Sequence, residues 1–305
     1  MRIEAALSAL CVSLLLPLVA AAKVAVATTT GSLAAIVEAV GGESVEVTTL
    51  ANPAEDPHYV DARPNLVVLL HGVDMLVSVG LELEVGWLPS LERAARNPRI
   101  APGSVGRFEA ATAVPHLLDV PAGKIDRAEG DIHRGGNPHF MYDPRRAASV
   151  GYALGQRLAA LDPPNAVAYV TRAQTFADAC TQAATKASQR FAALRPEQRR
   201  VTTYHASWVY VLDWLGLTAA ATVEPKPGIA PSPAHVAQVM QIMRAQSVKA
   251  ILQEEFYPRG TSETLAKLTS ARLVLLEGAA RPGQKDAYLA HVERVSESIY
   301  AALAQ

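Results

Sequence analysis

A chain of 305 residues with 28 Lys and Arg against 29 Asp and Glu, half of it hydrophobic, offers a large core and almost no net charge. That balance excludes nucleic acid and anionic membrane surfaces as partners, because both need a basic excess. Of two cysteines only Cys180 lies beyond the N-terminal apolar run, so no intramolecular disulfide is expected and stability must come from the core. Arg2, the apolar stretch 5–20 and Ala20-Ala21-Ala22 have the layout of a secretory signal peptide over residues 1–22, too short for a membrane span. Cys11 follows Leu10 rather than a small residue, which argues against acylation there. Removing the segment takes Arg2 and Glu4 together and leaves the net charge unchanged.

Beyond residue 22, short apolar runs alternate with helical patterns, the signature of βαβ units and parallel sheets. Strands are predicted at 24–27, 45–49 and 75–79. A turn-rich stretch at 119–138 carries Gly123, Gly130, Gly135 and Gly136 and is expected as a long loop. Asp143-Pro144 then opens a helix, Asp as N-cap and Pro at the first helical position. From 165 to about 194 there is no Gly or Pro, which predicts one long helix ended by Arg195-Pro196. Strands are predicted again at 201–204, 219–223, 249–253 and 272–276, with a last helix at about 285–303. The expected architecture is α/β: two parallel-sheet lobes, 23–162 and 196–305, joined by a rigid helix over 163–195, with a cleft between them.

Ligands of open α/β sheets bind beyond the carboxyl ends of the strands. Three histidines take such positions: His58 in the loop after the second strand, His139 just before a capped helix, and His205 at the end of a strand. His58 and His139 each follow a Pro, which stiffens the backbone where ligands must converge at 2.0–2.1 Å from an ion. Histidines this far apart in sequence leave a shared metal site and separate bland roles equally open.

The words around them tilt the balance. Asp56-Pro57-His58 with Asp61 and Pro64, Asn137-Pro138-His139 through Asp143-Pro144, and Tyr204-His205 through Trp208, Trp214 and Gly216-Leu217 occur in order. Glu224-Pro225, Pro227-Gly228, Pro231-Ser232-Pro233 and Leu252-Gln253-Glu254 follow. In these the chain resembles the zinc/manganese-binding proteins of bacterial ABC importers, the cluster A-I solute-binding family, over nearly all of its length. The resemblance implies a monomeric periplasmic protein, not an enzyme, that holds a metal ion between its lobes. It would pass that ion to a membrane permease; whether a metallochaperone is a further partner is left open by the sequence.

In that family a histidine at the third position goes with zinc and a glutamate with manganese, so His205 implies Zn2+ as the transported ligand and Mn2+ as the alternative. Borderline-soft zinc also suits neutral imidazoles better than manganese does. The family's fourth ligand is often an Asp in the last third, where this chain has none between Asp213 and Asp286. Glu277, at a strand end, stands closest to that position and is the expected fourth ligand. Glu254 or water remains the alternative, and an acid at Glu254 would otherwise brace a histidine. His71, His116, His235 and His291 are expected as surface or packing residues, the last on the outer face of the final helix. His133 lies in a loop with Asp126, Glu129 and Asp131, too few groups for an independent site, though a transient docking role is open. A zinc hydrolase is the rival class, against which stands the lack of a His-Glu-x-x-His helix or a Gly-x-Ser-x-Gly elbow. A metal-independent adhesin is the third.

Overall fold

A computed structural model describes residues 22–122 and 133–304. The expected leader lies almost wholly outside the described residues, as do Gly123, Gly130, Asp126, Glu129 and Asp131. Eight strands are described: β1 (Val24–Thr28), β2 (Val45–Thr49), β3 (Met75–Ser78), β4 (Arg107–Glu109), β5 (Arg200–Thr203), β6 (Thr218–Thr222), β7 (Ala250–Glu254) and β8 (Arg272–Leu276). They form two all-parallel sheets with orders β2-β1-β3-β4 and β6-β5-β7-β8. The same winding recurs in both halves, so each sheet reverses direction beside its first strand, where open α/β sheets leave a crevice.

Strand residues alternate between faces, and each sheet uses this to serve two cores. Val26, Met75 and Val77 face a core common to both halves, while Ala27 and Leu76 face a core of the first half alone. Likewise Ala250 and Leu252 join the common core, and Ile251 joins a core of the second half. The common core is built on α1 (Gly31–Gly41), α4 (Pro144–Leu161), α5 (Ala166–Ala192) and α9 (Ala287–Leu303). The two lobes therefore share apolar packing and are not merely tethered.

The long helix α5 spans 27 residues, roughly 40 Å at 1.5 Å per residue. Tyr169, Ala173, Phe176, Cys180 and Ala184 recur every three or four residues along its buried stripe. It lies close on α4 because Gly151 and Gly155 face Phe176 and Ala173, and a Cβ at either glycine would collide. The helix α4 begins as the sequence implies, with the Asp143 side chain accepting from Arg145 N–H and Pro144 at the start. Polar bolts cross between lobes: Tyr288 Oη donates to Met141 O at 2.8 Å, Tyr142 Oη to Gly278 O at 2.9 Å, and Ala280 N–H to Ser32 Oγ at 3.0 Å.

Seven of these strands were legible, and the eighth, β4, is a three-residue edge with no alternating pattern to announce it. No helix among the described residues is long and apolar enough to cross a membrane.

Candidate metal centre

His58 and His139 are set by one local device used twice. In each, the side-chain oxygen of the residue two positions earlier accepts the histidine N–H across an intervening proline. Asp56 Oδ1 accepts from His58 N–H at 3.0 Å, and Asn137 Oδ1 from His139 N–H at 3.0 Å. Such Asx turns fix the backbone at the histidine before any metal arrives. Trp87 Nε1–H pins the first turn by donating to Pro57 O at 3.0 Å.

Asn137 also reaches across the cleft. Its Nδ2 donates to Ala206 O at 2.8 Å, and its carbonyl accepts from Tyr210 Oη at 2.7 Å. One residue thus links the turn of His139 to the segment that begins at His205. His205 itself follows β5 at the sheet's reversal point, held by Tyr204 N–H on Leu252 O and Glu224 N–H on Tyr204 O.

The three imidazoles converge, with ligating nitrogens all within 4.8 Å of one another. Ring centroids lie 5.2 Å apart for His58 and His139, 5.5 Å for His139 and His205, and 5.8 Å for His58 and His205. An ion equidistant from atoms 4.8 Å apart sits about 2.8 Å from each, so a shift of under about 1 Å per ring reaches the 2.0–2.1 Å bond. His139 Nε2 is buried without a hydrogen-bond partner among the described residues, an acceptor that an ion would satisfy.

Two carboxylates brace the other side of the rings. Asp56 Oδ1 lies 2.7 Å from His58 Nδ1, and Glu224 Oε2 lies 2.7 Å from His205 Nδ1. Each bond places the ring proton on Nδ1 and leaves Nε2 as the donor to a metal, as outer carboxylates do around metal-bound histidines. Burial, and then the neighbouring imidazoles, hold His139 well below the usual histidine range, so it is neutral and ready to ligate. At His205 burial pulls downward, but the Glu224 hydrogen bond and the charges of Glu254, Glu224 and Asp56 outweigh it and raise the value. Asp56 is lowered on balance, its burial being outweighed by its bonds to His58.

Glu277, expected as the fourth ligand, does not converge with the histidines. Its carboxylate is taken by Arg294 at 2.7 and 3.2 Å, by Arg281 at 3.3 Å and by His291 Nδ1 at 3.5 Å. The His291 contact and the Arg294 pair hold it down to about 2. His291, expected on the outer face of its helix, is instead 1% exposed and packs against this clamp. Glu254 braces Ser207 Oγ and Trp208 Nε1 rather than a histidine ring, and burial raises it. His71 and His116 are exposed and His235 binds Thr222 O, all away from the centre. The roles of Asp56 and Glu224 were not singled out from the sequence, although both stand inside the quoted motifs.

The chain matches the family described as zinc-uptake complex component A, periplasmic, over residues 26–302. It is 27% identical to the high-affinity zinc uptake system protein of Paracoccus denitrificans over 235 residues, 66% of this chain and 67% of that one. It is 21% identical over 289 residues to the manganese ABC transporter substrate-binding lipoprotein PsaA of Streptococcus pneumoniae, covering 91% and 89%. A crystal structure of ZnuA superposes with a TM-score of 0.77 at 20% identity, covering 92% of this chain and 99% of that one. With its site geometry and a family match over nearly the whole described length, the chain belongs to the zinc-uptake complex component A family, metal-binding solute-binding proteins of ABC importers and not enzymes.

Proposed function

We propose that this chain is an exported zinc(II)-binding protein that captures one ion with His58, His139 and His205 and delivers it to an ABC importer permease. The observation that carries this reading is the convergence of three buried or half-buried imidazoles, two of them braced by carboxylates. A nitrogen donor set favours zinc, whereas manganese prefers oxygen-rich coordination. Asp56 and Glu224 add negative charge beside the dication without occupying its coordination sphere. Glu277 is assigned to the arginine clamp at the lobe surface rather than to the ion.

Two ligands stand on the first lobe and the third on the second, so any separation of the lobes strips a nitrogen from the ion. The common core and the interlobe hydrogen bonds resist that separation until a partner supplies the free energy. All three histidines come from one chain, so a monomer suffices. Competition between zinc and manganese for the purified mature chain tests the assignment. Preferential retention of manganese at equal total concentrations would refute it.

A further inference from the structure

The structure assigns Glu84 as the positioning residue for both first-lobe histidines, His58 and His139, which it holds through the loop 79–87. This role rests on reading the three histidines as a zinc site. Glu84 is 4% exposed and lies where β1 and β3 end. Its Oε1 accepts from Thr29 Oγ1 at 2.6 Å and from Val79 N–H at 2.7 Å, and its Oε2 from Gly80 N–H at 3.1 Å. One buried carboxylate thus clamps the ends of two strands and the start of the loop.

The loop needs such a clamp. Gly80, Leu81 and Glu82 take left-handed backbone in succession, at φ +84, +53 and +64. Leu and Glu enter that region uncommonly, and such a run persists only where its surroundings over-determine it. The Glu84 side chain takes the N–H groups that lead into the run. Its own carbonyl accepts beyond it, from Trp87 N–H at 3.2 Å and Leu88 N–H at 3.0 Å.

From this anchor the loop reaches both ligand frames. Trp87 Nε1–H donates to Pro57 O at 3.0 Å, one residue before His58, and a Cβ on Gly86 would touch His58 O at 3.5 Å. Leu81 Cδ2 packs on Gly135, where an added Cβ would approach to 2.5 Å, two residues before the Asn137 that fixes His139. Thr29 O accepts from Ala51 N–H at 3.4 Å. Both ends of the segment 51–58 are therefore tied to Glu84, one through Thr29 and the other through Trp87. His205 stands on the other sheet, so a shift of the loop moves two imidazoles against the third. An ion that needs its nitrogens at 2.0–2.1 Å registers that shift as lost affinity.

Three measurements on the same variants of the mature chain test the role: zinc affinity by chelator competition, d–d absorption of the cobalt(II)-loaded site, and denaturation of the metal-free protein. Trp87→Phe keeps a buried ring and removes the N–H bonded to Pro57 O. It should lower zinc affinity by ~10-fold, the lower end for groups that orient ligands, and alter the cobalt spectrum. Glu84→Ala should lose up to ~100-fold, and Glu84→Gln, which keeps one acceptor oxygen, should fall between it and the wild type. Should Glu84→Ala fail to fold, Glu84→Gln and Trp87→Phe decide the matter. Variants that lose stability yet keep wild-type zinc affinity and an unchanged cobalt spectrum would overturn the assignment. A wild type that takes up no zinc would instead overturn the underlying three-histidine reading.

Discussion

Replacing Glu224 with alanine tests whether the carboxylates around the histidines orient them. Glu224 and His205 are both almost fully buried, and their 2.7 Å bond is the one described partner of His205 Nδ1. The change leaves a buried N–H without an acceptor, a penalty of about 1–3 kcal/mol, and frees the ring to turn its Nε2 away from the ion. Gly228 N–H loses the same acceptor. The zinc affinity should fall by ~10–100-fold, or about 1.4–2.7 kcal/mol, read by competition against a chelator at pH 7.5. Glu224→Gln keeps an acceptor oxygen and should recover much of the loss.

The pair also leaves a signature in the metal-free protein. His205 is raised in the folded state, so its pairing stabilises fully below the unfolded value near ~6.5 and fades as pH rises through the folded value. The stability deficit of metal-free Glu224→Gln should therefore be larger at acid pH than at pH 8.5. A Glu224→Ala chain that binds zinc like the wild type would refute the orienting role.

His58→Ala, His139→Ala and His205→Ala should each weaken zinc binding by far more than ~100-fold, the upper range for orienting residues, while His71→Ala and His116→Ala leave titrations unchanged. Zinc at a hundredfold excess over its dissociation constant should stabilise the fold by about 2.7 kcal/mol, a rise in melting midpoint of roughly 5 °C by calorimetry. Zinc affinity should fall on acidification, with His205 the first ligand to take a proton because its value is raised while that of His139 is depressed. Glu277, held to about 2, stabilises the protein above its unfolded value near 4.5 and loses that contribution as pH falls toward 2. Denaturation midpoints should accordingly separate wild type from Glu277→Gln at pH 7 and bring them together at pH 2–3, with zinc affinity unaffected by the substitution.

Elements with a strong period or a capped end were legible in the sequence. The α4 start at Asp143-Pro144 and the Gly- and Pro-free α5 carry local signals that need no tertiary context. The convergence of the three histidines was foreshadowed because each sits in a stiff local frame, Asp-Pro-His, Asn-Pro-His or a strand end. What escaped depends on pairing between distant segments. Thr203 pairs with Thr222 across β5 and β6, so His205 and Glu224, each two residues further on, meet at the same level. That register follows from the sheet order, which a single sequence does not state. The Asp56 brace was closer to hand, two residues from His58 within one turn. Glu277 ends a strand as expected, but its contacts with Arg281 in its own loop and with His291 and Arg294 one helix later depend on tertiary placement that a single sequence does not state.

Metal content of the purified mature chain, loaded with equimolar zinc and manganese and read by native mass spectrometry, bears most directly on the central claim. One zinc per chain, lost when His58, His139 or His205 is replaced, is the expected result. Manganese retained in zinc's place, or zinc that survives removal of all three histidines, would contradict it.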